Sequence, residues 1–184
     1  MALTWRAVVL AALGIPAVLV VPVPGTVLLW ALVVLVVCVL DAVLAASPRQ
    51  VAVARRVPPS VRLGEPVTSE VDVTNLSGRR LRALVRDAWP PSSGAVSPRH
   101  RVDLPSGDGR RLRTTLVPTR RGDAHADRVT IRSVGPFGVA ARQASLDVPA
   151  RLRVLPEFAS RRHLPSRLAR LRELDGRAAV QVRG

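Results

Sequence analysis

The chain has no lysine, no tyrosine, one cysteine and two phenylalanines. A single cysteine, Cys38, excludes an internal disulfide and a thiolate metal site. Cys38 lies in an apolar run and reads as a small lipid-facing or helix-packing residue. The aromatic shortage removes the stacking platforms that single-strand nucleic-acid binders interleave with basic side chains. Without lysine, all 28 basic residues are arginine, against 13 acidic ones, for a net charge of +15. Heavy use of arginine, alanine and valine also follows from GC-rich coding, so the basic balance argues little for a nucleic-acid partner. No glycine-rich phosphate loop opens a helix, and no serine sits in a nucleophile elbow. Neither a cofactor nor a small-molecule substrate is expected.

Charge itself is missing from residues 7–40, a run broken near its middle by Pro22-Val23-Pro24-Gly25. A membrane helix needs about 20 mainly apolar residues, so this run predicts two spanning helices joined by a turn. The first is expected over about Leu3–Val21, kinked at Pro16, and the second over about Thr26–Ala45. Trp5 and Trp30 are expected near opposite interfaces. Asp41, near the end of the second helix, is expected to reach headgroups rather than relay protons. Arg6 precedes the run, Arg49, Arg55 and Arg56 follow it, and the turn is uncharged. The positive-inside rule then puts both termini in the cytoplasm of a cell (inner) membrane. Arg55 and Arg56 are expected near anionic headgroups. A cleaved signal peptide would need an apolar core of only ~7–15 residues.

After Pro48 the pattern alternates with period two. Val67, Val71 and Val73 alternate with polar residues, as do Leu81, Ala83 and Val85, and Leu112, Thr114 and Leu116. Further strands are predicted at 51–57, 129–134, 139–144 and 152–155. Turn residues punctuate them at Asn75-Leu76-Ser77-Gly78, Pro90-Pro91, Ser106-Gly107-Asp108-Gly109 and Gly135-Pro136. About seven short strands in ~100 residues predict an all-β immunoglobulin-like sandwich. Beyond Pro156, Leu164, Leu168, Leu171 and Leu174 fall near helical spacing among arginines, with Pro165 at the start and Asp175-Gly176 as a stop. This predicts a short basic amphipathic C-terminal helix. The expected organisation is a transmembrane hairpin over 1–46, a β-sandwich over 47–157, and the basic helix with a truncated linker over 158–184.

In this order, the hairpin, Thr74-Asn75-Leu76-Ser77-Gly78, Arg120-Arg121-Gly122, Gly135-Pro136-Phe137-Gly138-Val139 and Val154-Leu155-Pro156 resemble the amino-terminal part of the domain-of-unknown-function 58 (DUF58) family. That family commonly has aspartate where this chain has Gly135, leucine for Val139 and tyrosine for Leu155. In the turn, Phe137 is expected to anchor in the core and Gly138 to take a conformation other residues avoid. The resemblance implies neighbourhood with MoxR-type AAA+ ATPases and a membrane-associated assembly role, with no established reaction. It also implies truncation, since the family's most diagnostic segment would begin about where this chain ends.

Asp123, His125 and Asp127 are the sharpest chemical candidates, because alternate residues of a strand share a face. Same-face neighbours lie about 6.5–7 Å apart, which makes chelation of one ion by all three awkward. A solvated strand face is the preferred reading, and no metal site is assigned. His100 and His163 read as surface residues. Glu65, Glu70, Asp72, Asp87, Asp103 and Asp108 read as turn or polar-face residues rather than paired catalytic carboxylates. The sequence thus points to a non-enzymatic, membrane-anchored protein with a cytoplasmic sandwich acting as a protein-interaction or assembly module. The alternatives are an extracytoplasmic cell-envelope binding module, a salt-dependent nucleic-acid binder using Arg110-Arg111 and Arg120-Arg121, and a membrane enzyme whose chemistry lies in the absent region.

Overall fold

The structure is a computed structural model, and it describes residues 2–157. The predicted basic helix, His163 and the 158–184 segment lie outside the described residues. The chain opens with a short strand β1 (Ala2–Leu3), then helices α1 (Trp5–Ala12), α2 (Ile15–Val20) and α3 (Pro24–Leu44). Strands follow: β2 (Val51–Arg56), β3 (Ser60–Arg62), β4 (Val67–Asn75), β5 (Leu81–Asp87), β6 (Ala95–Val96), β7 (Arg99–Leu104), β8 (Gly109–Leu116), β9 (Gly122–Val134) and β10 (Ala140–Leu155).

Of the two predicted spans, one is present in full. α3 has 21 residues, about 31 Å at 1.5 Å per residue, which matches a hydrocarbon core of ~30 Å. Among the described residues it is the one helix long and apolar enough to cross a membrane. The first arm breaks at Leu13-Gly14 instead of kinking within one helix. Pro16 has no N–H to give back to the preceding turn, and its ring crowds the carbonyl four residues earlier. Trp30 fills the resulting notch. Its indole N–H donates to the Ala11 carbonyl at 3.3 Å, and a Cβ on Gly14 would fall on its ring. Trp30 is therefore turned onto the first arm rather than out to an interface. Pro24 starts α3 at a first-turn position where its missing N–H costs nothing.

The strands form two sheets. One runs β1-β10-β9-β5-β7, with β3 pairing β10 in parallel beyond β1; the other runs β2-β4-β8-β6. Alternation works as predicted: Val71, Val73, Leu81, Val85, Leu112 and Ile131 face the space between the sheets and are buried. Burying each such side chain contributes about 1.5–3 kcal/mol. Asn75 closes β4 as expected and goes further. Its side-chain amide donates to the carbonyls of Arg79, Leu104 and Pro105 and its oxygen accepts from Ser77, tying two turns together.

The strand list needs correction: the short strands β1, β3 and β6 were not predicted, and β9 starts at Gly122 rather than near 129. β7 was not predicted, because Arg99-His100-Arg101 hides an inward-facing set of His100, Val102 and Leu104 behind charge. The segments at 139–144 and 152–155 are one strand, β10. Asp147 and Pro149, which the two predicted segments left between them, sit at a register irregularity between Asp147 and Ala150. A bulge is one of the few places a sheet accepts proline.

Candidate functional site

The residues that invite a functional reading gather where the helical hairpin meets the sandwich. The turn Gly135-Pro136-Phe137-Gly138-Val139 joins β9 to β10 at the base of the hairpin. Asp41, in the last turn of α3, is fully buried there. One of its oxygens accepts the Phe137 N–H at 2.8 Å, and the other accepts those of Val139 and Ala140 at 2.7 Å each. Asp41 is thus a latch between helix and turn, and the headgroup role expected for it is corrected. The opposite arm grips the same turn through its carbonyls. Thr4 Oγ1 donates to Gly138 O at 2.6 Å and Arg6 donates to Phe137 O at 3.2 Å. β1 pairs antiparallel with the first two residues of β10. Arg79, from the β4–β5 turn, donates to the Val43 carbonyl at 2.5 Å. A cation at a helix C-terminus satisfies an orphan acceptor and complements the helix dipole.

Two glycines make the clasp possible. A Cβ on Gly135 would fall on the Asp41 carboxylate. Gly138 has φ +73°, the left-handed region that other residues avoid, as anticipated. Phe137, by contrast, is 59% exposed. It is no core anchor: the polar clasp, not the ring, fixes the turn.

A second polar cluster lies inside the sandwich. The Arg55 side chain is completely buried, not near headgroups as expected, and pairs with Asp87 at 2.7 Å. Its guanidinium also donates to the carbonyls of Ala126, Arg128 and Val148, and it sits 5.6 Å over the Trp89 ring. The other Asp87 oxygen accepts from Ser69 and from the Trp89 indole. Asp87 therefore leaves the polar strand face assigned to it. Every strong donor and acceptor in this cluster is used within the protein. That closure suits a cross-brace holding β2 of one sheet against β9 and the β10 bulge of the other. It leaves no group aimed at a substrate.

The remaining candidates disperse. Asp123, His125 and Asp127 lie on β9, exposed, with buried Ala124 and Ala126 between them. Asp123 pairs with Arg151 at 2.7 Å, and that hydrogen bond holds its carboxyl below the usual aspartate range. Among the described residues, no group of three His, Cys, Asp or Glu side chains could hold a metal ion. His100 is half-buried rather than a surface residue, and bridges the sheets through a 2.9 Å hydrogen bond to Thr114. Glu70 and Asp72 pair across strands with Arg111, Arg113 and Arg56. Asp103 pairs with Arg80 at 2.6 Å. The clasp and the brace escaped sequence reasoning because their partners are far apart in the chain. The one local signal was an acidic residue at the end of an apolar helix.

The arrangement defines a class: a β-sandwich mounted by both ends of an apolar helical hairpin. No family model matches the chain, and no curated protein matches its sequence. Similar solved structures include the CARDB domain of a Pyrococcus furiosus protein, crystallised in complex with di-metal ions. It is 19% identical, with a TM-score of 0.43, and covers 58% of this chain and 94% of its own. A FixG-related protein from Vibrio parahaemolyticus is 9% identical, with a TM-score of 0.37, and covers 57% of this chain and 96% of its own. Likenesses at this level leave the architecture resting on the strand pairing described above.

Proposed function

We propose that this protein is a non-enzymatic membrane-anchored module of the DUF58 type, whose sandwich is held at the cytoplasmic surface to bind other proteins. The observation that carries the reading is the clasp. Thr4 and Arg6 on one arm and Asp41 on the other grip a single turn, so both ends of the hairpin sit on the same side. A hairpin that leaves and returns to one side suits both termini in one compartment. The broken arm Trp5–Val20 runs back along α3 as the second pass. Large apolar side chains all around the hairpin, such as Leu19, Leu28, Leu32 and Leu35, are exposed, which suits lipid contact. The arginines flanking the apolar run favour the cytoplasmic side.

Tethering raises the local concentration of the sandwich for membrane partners. A MoxR-type AAA+ ATPase is the partner class that the family resemblance suggests, and the edge strand β7 offers unpaired backbone groups for strand addition. The test is protease treatment of intact cells and of inverted membrane vesicles, followed by affinity capture from solubilised membranes. The sandwich should resist protease in cells, be cut in inverted vesicles, and retain a specific protein. Removal of the sandwich by external protease would favour the envelope-facing alternative instead. Capture of no specific protein by the intact sandwich would count against the interaction role.

A further inference from the structure

A cleft of about 640 Å³ opens at the foot of the hairpin, between the start of α1 and the outer face of the larger sheet. Its lining includes Arg6, Arg82, Arg101 and Arg132, with Leu3 and Trp5 at its rim, and no acidic residue. Arg6 and Arg132 are held in place by backbone carbonyls, Phe137 O and Leu3 O, each at 3.2 Å. Those bonds orient the guanidiniums without neutralising them. Among the described residues no carboxylate pairs with Arg6, Arg101 or Arg132. Arg82 lies 3.9 Å from Asp103, which is engaged more closely by Arg80. Leu84 on β5 pairs with Arg101 of β7 on one side and Arg132 of β9 on the other, which sets these two cations on one face, flanking β5. Guanidiniums lining one cleft, three of them without a carboxylate partner, repel one another, and a phosphate relieves that repulsion while accepting their forked hydrogen bonds.

We infer that this cleft binds the phosphodiester headgroup of an anionic glycerophospholipid in the leaflet next to the sandwich. The inference rests on the proposal that the hairpin lies in a bilayer. Position selects the lipid over other anions. Trp5 and Leu3 are 72% and 67% exposed at the junction where the apolar hairpin begins, the depth at which indole rings and headgroups coincide. The chain's own residues 158–184 are a poor occupant, since they carry seven arginines and two acids. The site also has a limit. Arg86 and Arg99 face each other two residues further along the same strands, about 7 Å deeper into water, beyond the headgroup layer.

The experiment uses the full chain in nanodiscs of mixed phosphatidylglycerol and phosphatidylcholine, with retained lipids counted by native mass spectrometry. The wild type should keep phosphatidylglycerol in preference. The pair Arg82→Gln with Arg101→Gln should lower that preference about fivefold per arginine. The pair Arg86→Gln with Arg99→Gln should leave it unchanged, which also controls for any general effect of lost charge on folding. Equal retention by both pairs would overturn the inference. So would displacement of the lipid by excess inorganic phosphate, which would make the site one for free phosphate, or by a single-stranded RNA oligonucleotide. Alkaline carbonate extraction of the wild type separates the two layers of the argument. A chain released to the soluble fraction fails the membrane reading. A chain that stays in the membrane but shows no lipid preference fails the headgroup site alone.

Discussion

Asp41 and Gly135 exclude one another's alternatives. The turn offers the N–H groups of Phe137, Val139 and Ala140 to a carboxylate, and the direction a side chain would take from position 135 leads to the same spot. An aspartate at 135 would bond the N–H two residues on, in the usual Asx-turn manner. The structure thus gives a physical account of the glycine: the carboxylate arrives from α3 instead. Asp41→Ala leaves three donors without an acceptor and should destabilise the full chain in detergent by about 3–5 kcal/mol. Gly135→Asp alone should also destabilise, because two carboxylates compete for one site. The double variant should recover about 1–3 kcal/mol relative to the sum of the two, read from urea unfolding followed by circular dichroism. Strict additivity would show that the two positions do not share a site. From the sequence, the left-handed Gly138 was legible, because its conformation is a local property. The destinations of Asp41 and Arg55 were not, since their partners lie tens of residues away and a charge carries no mark of what will compensate it.

At the scale of elements, alternation exposed the strands that put large apolar residues inward, such as Leu81, Ala83 and Val85 in β5. It failed where the inward set was small or disguised: Ala124 and Ala126 in β9, His100 in β7, and the stretch of β10 that carries Asp147 and Pro149. The outward faces carry the ion pairs. Hydrogen bonds from Arg111, Arg80 and Arg151 hold Asp72, Asp103 and Asp123, respectively, below the ordinary aspartate value of 3.8. Because folding lowers these values, the pairs stabilise fully above the unfolded value and lose their contribution as pH falls through the folded ones. The melting temperature should therefore be insensitive to these pairs from neutrality down to about pH 5 and decline below about pH 4. The decline should be modest for such exposed pairs, and smaller in about 1 M salt. An Arg111→Gln variant should lose the part due to Asp72. A decline of the same size at both salt concentrations would place its origin elsewhere.

For the whole molecule, hairpin and sandwich are joined as one body rather than as two beads on a linker. β1 lies in the sheet, Asp41 and Arg79 lock the far end of α3, and the connection to β2 is a short 3-10 turn at Pro48–Gln50. Alkaline carbonate should leave the full chain in the membrane fraction, and Asp41→Ala should leave it there too, because the apolar surface of α3 is untouched. The same variant should make the Ser47–Arg56 region newly sensitive to limited proteolysis. Unchanged cleavage would show that the clasp contributes nothing to rigidity. The change of composition near residue 46 is plain in the sequence. The rigidity across it is not, because it depends on backbone groups of a turn that no composition reveals.

The clasp also has a history within each molecule. The donors that satisfy Asp41 lie 96 to 99 residues later in the chain. At about 5–20 residues per second of synthesis, α3 must wait roughly 5–20 s after its own completion before they exist. During that interval the hairpin carries a carboxylate with no protein partner, and its place near the end of the helix keeps it within reach of water. Residues Ala2 and Leu3 wait longer still, because their sheet partners are made at Ala140 and Ala141. Ala2 and Leu3 are thus secured only once the start of β10 has been made, so docking of the sandwich onto the hairpin follows synthesis of the β9–β10 turn.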